Sequence, residues 1–563
     1  MKVVLIAMNA KYIHSNLAIY SLKSYAKQEG VDISLLEYTI NHYEEDILQE
    51  LYKHGGDIFC FSCYIWNIDM VLSITKELHK VRPDAKIWLG GPEVSYDAFE
   101  VLQQNEEISL VMMGEGEETF RQVLEHTKNR KDISDIDGIA YRQEDGQIMV
   151  NKERELMDMN QLPFVYDDVD MKEFENKIIY YETSRGCPFL CSYCLSSIER
   201  RVRFRKKELV ERELQFFLDH KVKQVKFVDR TFNCHRKHAR NIWEYITEHD
   251  NGVTNFHFEV SADIITEEDL QLFQKMRKGL IQLEIGVQST HEPTILEIRR
   301  TMNLERLKEI VEKINSYENI HQHLDLIVGL PYENYERFIQ SFNDVHAMKP
   351  NQLQLGFLKV LKGSYMHQMR NEYGIVYWNK APYEVLYTKW VTYDEVLLLK
   401  GVEEMVEVYY NSNQFVTTLN YLLPFFKTPY DFYQELALYY ERQNLHLLKH
   451  NRLSRYEILR NFIHEKEILE LSKEILDEIM MYDLYLRENM KKRPQWANNL
   501  ETYKKQYQSY YKEHKTAHIE PFSYDMIQMA KTGEVIEKPC HIAFCYENRN
   551  PLTYEAEVSY VEF

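Results

Sequence analysis

Cysteine is scarce in this sequence: eight residues in 563, unevenly spread. That excludes the disulfide framework of a small secreted scaffold and reads as a chain of a reducing cytoplasm. Long apolar runs are missing too, since none reaches the roughly 18 residues a membrane span requires. The opening "MKVVLIAMNAKYIHSN" has a short apolar stretch without a small-residue cleavage site, so it reads as a first strand and not a signal peptide. There is no internal repeat and no low-complexity tract. Positive charge is in short supply, with 68 Lys and Arg against 88 Asp and Glu and a formal charge of −20. Such a surface argues against generic, charge-driven binding to nucleic acid or an anionic membrane, while leaving room for a local basic channel. What remains is ordinary globular composition, 44% hydrophobic and 28% charged, at a length that one core cannot fill, so two to four domains are expected.

Residues 1–125 alternate apolar strands with amphipathic helices. "KVVLIAMN", "ISLLEYTI", "DIFCFSCYIW", "KIWLGG" and "LVMMGEGEE" have the unbroken apolar character of buried parallel strands, with a helix over 16–30 after the first. The pattern predicts a doubly wound α/β sheet. Such sheets bind ligands beyond the carboxyl ends of their strands. Those ends carry Asn9, Ser62 to Trp66, Gly90-Gly91-Pro92-Glu93 and Gly114-Glu115-Gly116-Glu117. The glycines permit close approach of a ligand, or simply make tight turns.

Residues 126–176 read as a linker, with a hairpin around Asp145-Gly146 and an extended "LPFVYDDVDM". A second alternating series fills 177–370. Its six strands, "KIIYYET", "VKQVKFVD", "TNFHFEVSA", "LIQLEIGVQ", "HLDLIVGLP" and "QLQLGFLKV", predict a partial (βα)6 barrel with chemistry at the strands' C-terminal ends. Residues 371–563 change texture to a mainly α-helical domain rich in tyrosine and leucine, with a strand-containing tail. Most of the 41 tyrosines are expected to pack.

One stretch concentrates the chemistry. In "TSRGCPFLCSYCLSS", residues 183–197, Cys187, Cys191 and Cys194 are spaced C-x3-C-x2-C directly after the first barrel strand. A structural zinc ion wants four ligands, and Cys234, His235 or His238 would have to complete such a set. The alternative is an iron–sulfur cube, in which three thiolates hold three irons and leave the fourth open to a substrate or cofactor. Cys60 with Cys63 and Cys540 with Cys545 read as packed thiols, though His541 leaves a second metal open for the latter pair.

C-x3-C-x2-C with an aromatic before its last cysteine (Tyr193), on the loop after the first strand of a βα barrel, resembles the radical S-adenosylmethionine (SAM) superfamily. The segments "FEVSADI", "EIGVQS" and "DLIVGLPYE" strengthen the resemblance. It implies a [4Fe–4S] cluster on Cys187, Cys191 and Cys194, with SAM on the open iron. It also implies SAM contacts at Tyr193, Glu259, Gln288, Arg300 and Asp325, with Gly286 and Gly329 near adenine. Many members carry Gly-Gly-Glu after the second strand; this chain has "FVDRTFN", where Asp229 is the candidate replacement. With the sheet and glycine loops ahead of it, the chain resembles the cobalamin-binding class of that superfamily. The "VRFRKKELVERELQFF" stretch matches the class as well, or is a solvated helix start whose arginines pair with acidic surface.

The class resemblance implies cobalamin held by Asn9, Ser62, Trp66, Gly90, Gly91, Gly114 and Glu115. The D-x-H-x-x-G motif that supplies a cobalt-ligating histidine is absent, "DVHAMK" at 344–349 being a chance string. His14 stands on the first loop, and base-off cobalamin without a histidine ligand is expected. The activity implied is methylation of an unactivated carbon through a 5′-deoxyadenosyl radical and methylcobalamin, with no catalytic residue beyond the cluster ligands. Cyclisation or rearrangement with the same cofactors is the alternative, and a metal-cluster binding or regulatory protein is a reading of another class. The substrate is not legible; an electron donor such as flavodoxin or ferredoxin is implied.

Overall fold

The computed structural model describes residues 1–27, 30–167, 169–466, 468 and 471–563. The expected first helix includes Gln28 and Glu29, and the expected linker includes Asp168; these lie outside the described residues.

Five strands begin the chain: β1 (Lys2–Asn9), β2 (Asp32–Thr39), β3 (Ile58–Ser62), β4 (Lys86–Gly90) and β5 (Leu110–Met112). They pair in parallel in the order β2-β1-β3-β4-β5. Val3 to Ala7 are at most 1% exposed, which is why β1 carries no polar alternation: helices cover both faces of a sheet joined by crossovers. Strand order reverses between β1 and β3, and the crevice beyond their carboxyl ends is where such a sheet receives a ligand.

Residues 126–176 are not all linker. The hairpin is present, with β6 (Ile139–Arg142) and β7 (Ile148–Val150), but it pairs antiparallel onto β5 and extends the first sheet. The sequence marks the turn, where Asp145 accepts from the Gln147 N–H at 2.9 Å. It does not mark the edge that the strands join.

The next strand is β8 (Ile179–Tyr181), followed by two short ones, β9 (Ser184–Arg185) and β10 (Arg203–Phe204). The remaining strands of the expected barrel are β11 (Gln224–Phe227), β12 (Asn255–Val260), β13 (Ile281–Gln288), β14 (His321–Val328) and β15 (Gln352–Phe357). With β8 they form a six-stranded sheet. β8, β11 and β12 run parallel, with Lys226 in register with both Tyr180 and His257.

The chain divides into two compact units. One holds Met1–Glu284, Ile295–Asn303 and Phe357–Lys389; the other holds Ile285–Thr294, Leu304–Gly356 and Trp390–Phe563. In the second unit the helix Tyr393–Met405 starts in a capping box between Thr392 and Glu395 and continues into a π-helical turn, Val406–Asn411. Asn411 there accepts from the Leu353 N–H and donates to the Leu353 carbonyl, both at 2.9 Å, satisfying backbone groups of the last strand of the sheet order. Tyr409, Tyr430, Tyr433, Tyr456, Tyr485 and Tyr507 are buried packing residues. The tail is a small antiparallel sheet of His518–Tyr524, Glu537–Cys545 and Glu557–Tyr560. Among the described residues no helix is long and apolar enough to cross a membrane.

Candidate functional site

The cysteine loop leaves β8 and is closed at its base by the β9–β10 ladder, where Arg185 faces Arg203 and Ser184 faces Phe204. This bracket was not visible as a periodicity because each strand is two residues long. Inside it the Cys187 N–H donates to the Glu199 carbonyl at 2.9 Å, the Cys194 N–H to the Cys191 carbonyl at 3.1 Å, and the Ser192 N–H to the Ile298 carbonyl at 2.9 Å. The backbone is therefore pinned at three points around three free thiols. Burial raises the Cys187 thiol; hydrogen bonds from the Phe189 N–H and Thr231 oppose this, and the sulfurs of Cys194 and Cys191 raise it further. Arg300 lies over the loop, its Nη1 at 3.8 Å from Cys191 Sγ and 3.5 Å from the Tyr193 hydroxyl.

The donor set suits a cluster better than a single ion. Among the described residues no three His, Cys, Asp or Glu side chains converge on one metal position, whereas a cube takes its thiolates at separate irons. Of the candidate fourth ligands for zinc, both histidines are engaged and Cys234 is a free thiol. His235 accepts from the His238 N–H at the start of the helix Arg236–Glu248, and His238 Nε2 meets Thr183 Oγ1 at 2.9 Å. Cys540 and Cys545 stand five positions apart on one strand, hence on opposite faces, and do not share a site. Burial pushes the Cys60 and Cys63 thiols up, as expected of packing residues.

Several predicted site residues are engaged within the protein. Asp229 is fully buried, accepting from the Thr183 N–H at 2.9 Å, Thr183 Oγ1 at 2.6 Å and Ser184 Oγ at 2.7 Å, and anchors the strand exit. Glu115 takes Arg203 through both oxygens, at 2.5 and 3.1 Å, and accepts from the Met157 N–H. Asn9 donates to the His14 carbonyl and to Glu37, and Ser62 accepts from Asn16; both hold loops together. The arginines of the basic stretch pair with internal carboxylates and not with acidic surface, Arg205 meeting fully buried Glu213 at 2.5 Å.

Other assignments acquire geometry. Glu259 holds Arg230 through both oxygens, at 2.7 and 2.6 Å, at the end of β12. Gln288 ends β13 with a left-handed φ of 72° and, among the described residues, a buried side-chain oxygen without a hydrogen-bond partner. A residue in left-handed backbone with an unmet acceptor is a candidate ligand contact. Asp325 faces His323 at 3.0 Å.

In the first sheet, Trp66 stacks on Tyr64 with centroids 4.4 Å apart and donates from Nε1 to the Met8 carbonyl, laying a half-exposed aromatic platform across the ends of β1 and β3. Gly90 ends β4, and next to it Gly91 is required by the chain itself, since a Cβ there would fall 2.4 Å from the Cys63 carbonyl oxygen. Gly114 differs: its φ is +71° and no atom lies within 4 Å of where a Cβ would stand. That open space beside backbone is what a corrin edge would fill. His14 is tied to the Tyr180 hydroxyl at 2.7 Å, and His346 of "DVHAMK" is buried in the helix Tyr335–Ala347.

Two features escaped the sequence reading. The first is a charge network joining the 115–117 loop to the cysteine loop. Arg185 meets Glu117 at 2.5 Å, Glu182 at 2.9 Å and Glu115 at 3.6 Å, while Ser21 donates to Glu117. Burial pushes the Glu182 carboxyl up to about 7; Arg185 opposes this and the Glu117 and Asp229 charges add to it. The folded chain therefore keeps a proton that the unfolded chain releases near pH ~4.3. Stability from this group is present at low pH and is lost as pH rises through about 7. Between pH 5 and 8 the unfolding midpoint of wild type is expected to fall more than that of Glu182→Gln, and parallel curves in a thermal-unfolding pH series would refute the assignment.

The second is the polar face of the second sheet. Tyr180, Lys226 and His257 form one rung across β8, β11 and β12, and Glu284 meets Lys226 at 3.0 Å and His257 at 2.9 Å. The intervening residues Ile179, Val225, Phe227, Phe256, Phe258 and Leu283 are 0% exposed. The alternation is legible once the strands are known, but each run is too rich in apolar residues to announce it.

Comparison with known proteins follows this anatomy. Residues 3–124 match the model of a B12 binding domain, residues 181–345 the radical SAM superfamily, and residues 371–544 a family described as a protein of unknown function (DUF4080). The chain is 23% identical over 290 residues to an anaerobic magnesium-protoporphyrin IX monomethyl ester cyclase of Synechocystis sp., covering 50% of this chain and 58% of the relative. It is 23% identical over 299 residues to the cobalamin-dependent radical SAM methyltransferase TokK of Streptomyces tokunonensis, covering 50% and 44%. The chain thus spans about half the length of these curated relatives. Its fold is that of the cobalamin-dependent SAM radical enzyme OxsB, solved with aqua-cobalamin and SAM, at a TM-score of 0.59 and 16% identity over 86% of this chain and 78% of that one.

Proposed function

We infer that this chain, a cobalamin-binding radical SAM protein with a C-terminal domain of unknown function, transfers a methyl group from SAM to an unactivated carbon. The observation that carries the reading is the three-thiol loop at the exit of β8, with Arg300 and Tyr193 against it and the 114–117 loop of the first sheet bound to it through Arg203 and Arg185. When bound, the cluster, SAM and cobalamin supply the radical and methyl-transfer chemistry, and the protein supplies position and shielding.

In this reading Cys187, Cys191 and Cys194 hold the cluster. Tyr193, Glu259, Gln288, Arg300 and Asp325 serve SAM. Trp66, Gly90, Gly91 and Gly114 would border cobalamin, and His14, engaged by Tyr180, would not be its ligand. The domains are 1–125, a linker of 126–176 whose hairpin completes the first sheet, 177–370 and 371–563. The protein works in the cytoplasm with a one-electron donor.

The test uses reconstituted protein, dithionite and trideuteromethyl-SAM with the aqueous and organic fractions of a cell extract. A deuteromethyl label in a product, with 5′-deoxyadenosine formed alongside, is expected. Formation of 5′-deoxyadenosine with an unmethylated, rearranged product would favour cyclisation, the chemistry named for the Synechocystis relative. No 5′-deoxyadenosine at all would favour a binding or regulatory protein.

A further inference from the structure

The Gly90-Gly91 turn at the end of β4 is held by chain that lies far from it in sequence. Glu93, which closes the turn, is only 7% exposed. A carboxylate so placed needs partners, and two of them come from residues 362 and 383.

The segment that supplies them is built as a strap. Its short strands Val376–Tyr377 and Val385–Tyr387 pair antiparallel. The returning limb also pairs with residues 358–360: the Val360 N–H donates to the Tyr383 carbonyl at 3.0 Å, and the Val385 N–H to the Leu358 carbonyl at 2.8 Å. Between the two strands, Ala381 packs against the apolar core of the first sheet. Gly363 lies against Tyr96, where a Cβ would fall 2.5 Å from the ring. Tyr383 takes left-handed backbone, φ +56°, which a tyrosine keeps only where its surroundings fix it.

Four side chains then close a lock. The Tyr383 hydroxyl donates to the Glu93 carboxylate. Lys362 Nζ stands 2.7 Å from Asp97 Oδ2, 3.7 Å from Glu93 Oε1 and 5.5 Å from the centroid of the Tyr383 ring. Burial pushes the Glu93 carboxyl up; Tyr383 and Lys362 oppose this, and Asp97 adds to it. The backbone of Glu93 belongs to the turn itself. Its N–H donates to the Cys63 carbonyl at 3.4 Å, the Cys63 N–H donates to the Gly90 carbonyl at 2.7 Å, and Ser95 Oγ donates to the Gly91 carbonyl at 2.8 Å. A shift of the Glu93 side chain therefore reaches the Gly90-Gly91 backbone. Neither Lys362 nor Tyr383 lies in residues 3–124 or 181–345, and Tyr383 falls within 371–544, the stretch matched to the family of unknown function.

We propose that Tyr383 and Lys362 are positioning residues for cobalamin, acting through Glu93 to fix the Gly90-Gly91 turn. The proposal rests on the reading above that this turn borders cobalamin. It gives the first hairpin of the family of unknown function a task, which is to complete a cofactor site 290 residues earlier in the chain.

The experiment titrates the full-length protein with hydroxocobalamin and reads the dissociation constant from corrin absorbance after equilibrium dialysis. Tyr383→Phe keeps the ring and removes the hydroxyl. It is expected to weaken cobalamin about tenfold, the lower end of what outer partners of bound metals are worth, while iron uptake on reconstitution stays at the wild-type level. A purely structural lock would lower the unfolding midpoint of the cobalamin-free protein and leave the dissociation constant unchanged, which overturns the proposal. In a Glu93→Ala background, Tyr383→Phe should cost less than about twofold, because it acts through Glu93; a full tenfold loss there also overturns it.

If Tyr383→Phe does not fold, wild type decides. Coupling is reciprocal, so cobalamin must slow hydrogen exchange at the Val360 and Val385 amides. Exchange that cobalamin leaves unchanged refutes the lock. Failure of the underlying reading looks different. A Cβ at Gly90 comes no nearer than 3.5 Å to Met112, so the chain itself accommodates Gly90→Ala. If that variant binds cobalamin as wild type does, the turn does not border the cofactor and the proposal falls with it. If it binds weakly and Tyr383→Phe does not, the turn stands and the lock alone is refuted.

Discussion

Replacing Cys187, Cys191 or Cys194 by alanine, one at a time, is expected to lower 5′-deoxyadenosine formation by more than about a hundredfold, because even the outer partners of metal ligands are worth about 10–100-fold in affinity or activity. The same variants should lose most of the iron and the visible absorption that wild type acquires on anaerobic reconstitution. Each thiolate serves its own iron, so two cannot hold the cluster as three do. The apo fold should survive, since the adjoining core is built from strand residues such as Ile179, Val225 and Phe227. Unfolding midpoints close to wild type would show that the loss is one of ligation. Cys234→Ala is the control: it is half-buried after β11, and the histidines near it are used elsewhere. A Cys234 variant that lost its iron, or a Cys191 variant that kept it, would break the assignment of the three-cysteine set.

Arg185→Ala is expected to destabilise the folded chain by about 3–5 kcal/mol, the cost of leaving buried charge uncompensated. Glu117 is 5% exposed. Burial works to raise its carboxyl, and Arg185 at 2.5 Å overrides this and holds it below the ordinary range. Without Arg185, Glu117 must take up a proton or draw in water, and Glu182 loses its counter-ion as well. Adding Glu117→Gln to Arg185→Ala should recover part of the loss, because the double variant no longer strands the carboxylate. Chemical denaturation of the four members of this cycle measures the coupling. Additive effects would mean that the pair contributes nothing as a pair. The same network spans from the 115–117 loop to the cysteine loop, so its loss should also weaken corrin absorbance on reconstitution.

Much of this was legible from residue order alone, for physical reasons particular to each case. The strands of the first sheet are largely apolar runs closed by glycine or a polar residue, and β1 is readable at almost every position. The three thiols announce themselves because C-x3-C-x2-C is a local pattern that a single loop must honour whatever the fold around it. Tyrosine in the C-terminal helices reads as packing, and Tyr430 and Tyr433 pack.

Partnership was a different matter. Glu115 sits in a glycine-rich loop that any reading would offer to a ligand, yet Arg203, 88 residues away, takes its carboxylate. Asp229, the expected replacement for Gly-Gly-Glu, is turned inward by Thr183 and Ser184. Tyr383, 290 residues from Glu93, donates to its carboxylate beside the Gly90-Gly91 turn. Residue order determined the elements, the two alternating sheets and the three-thiol loop, because periodicity and motif spacing are properties of a short stretch of chain. Only the tertiary structure decided which carboxylates and arginines remain free for cofactor or partner, because a charge is satisfied by whatever the fold brings within about 4 Å. That neighbour is seldom close in sequence.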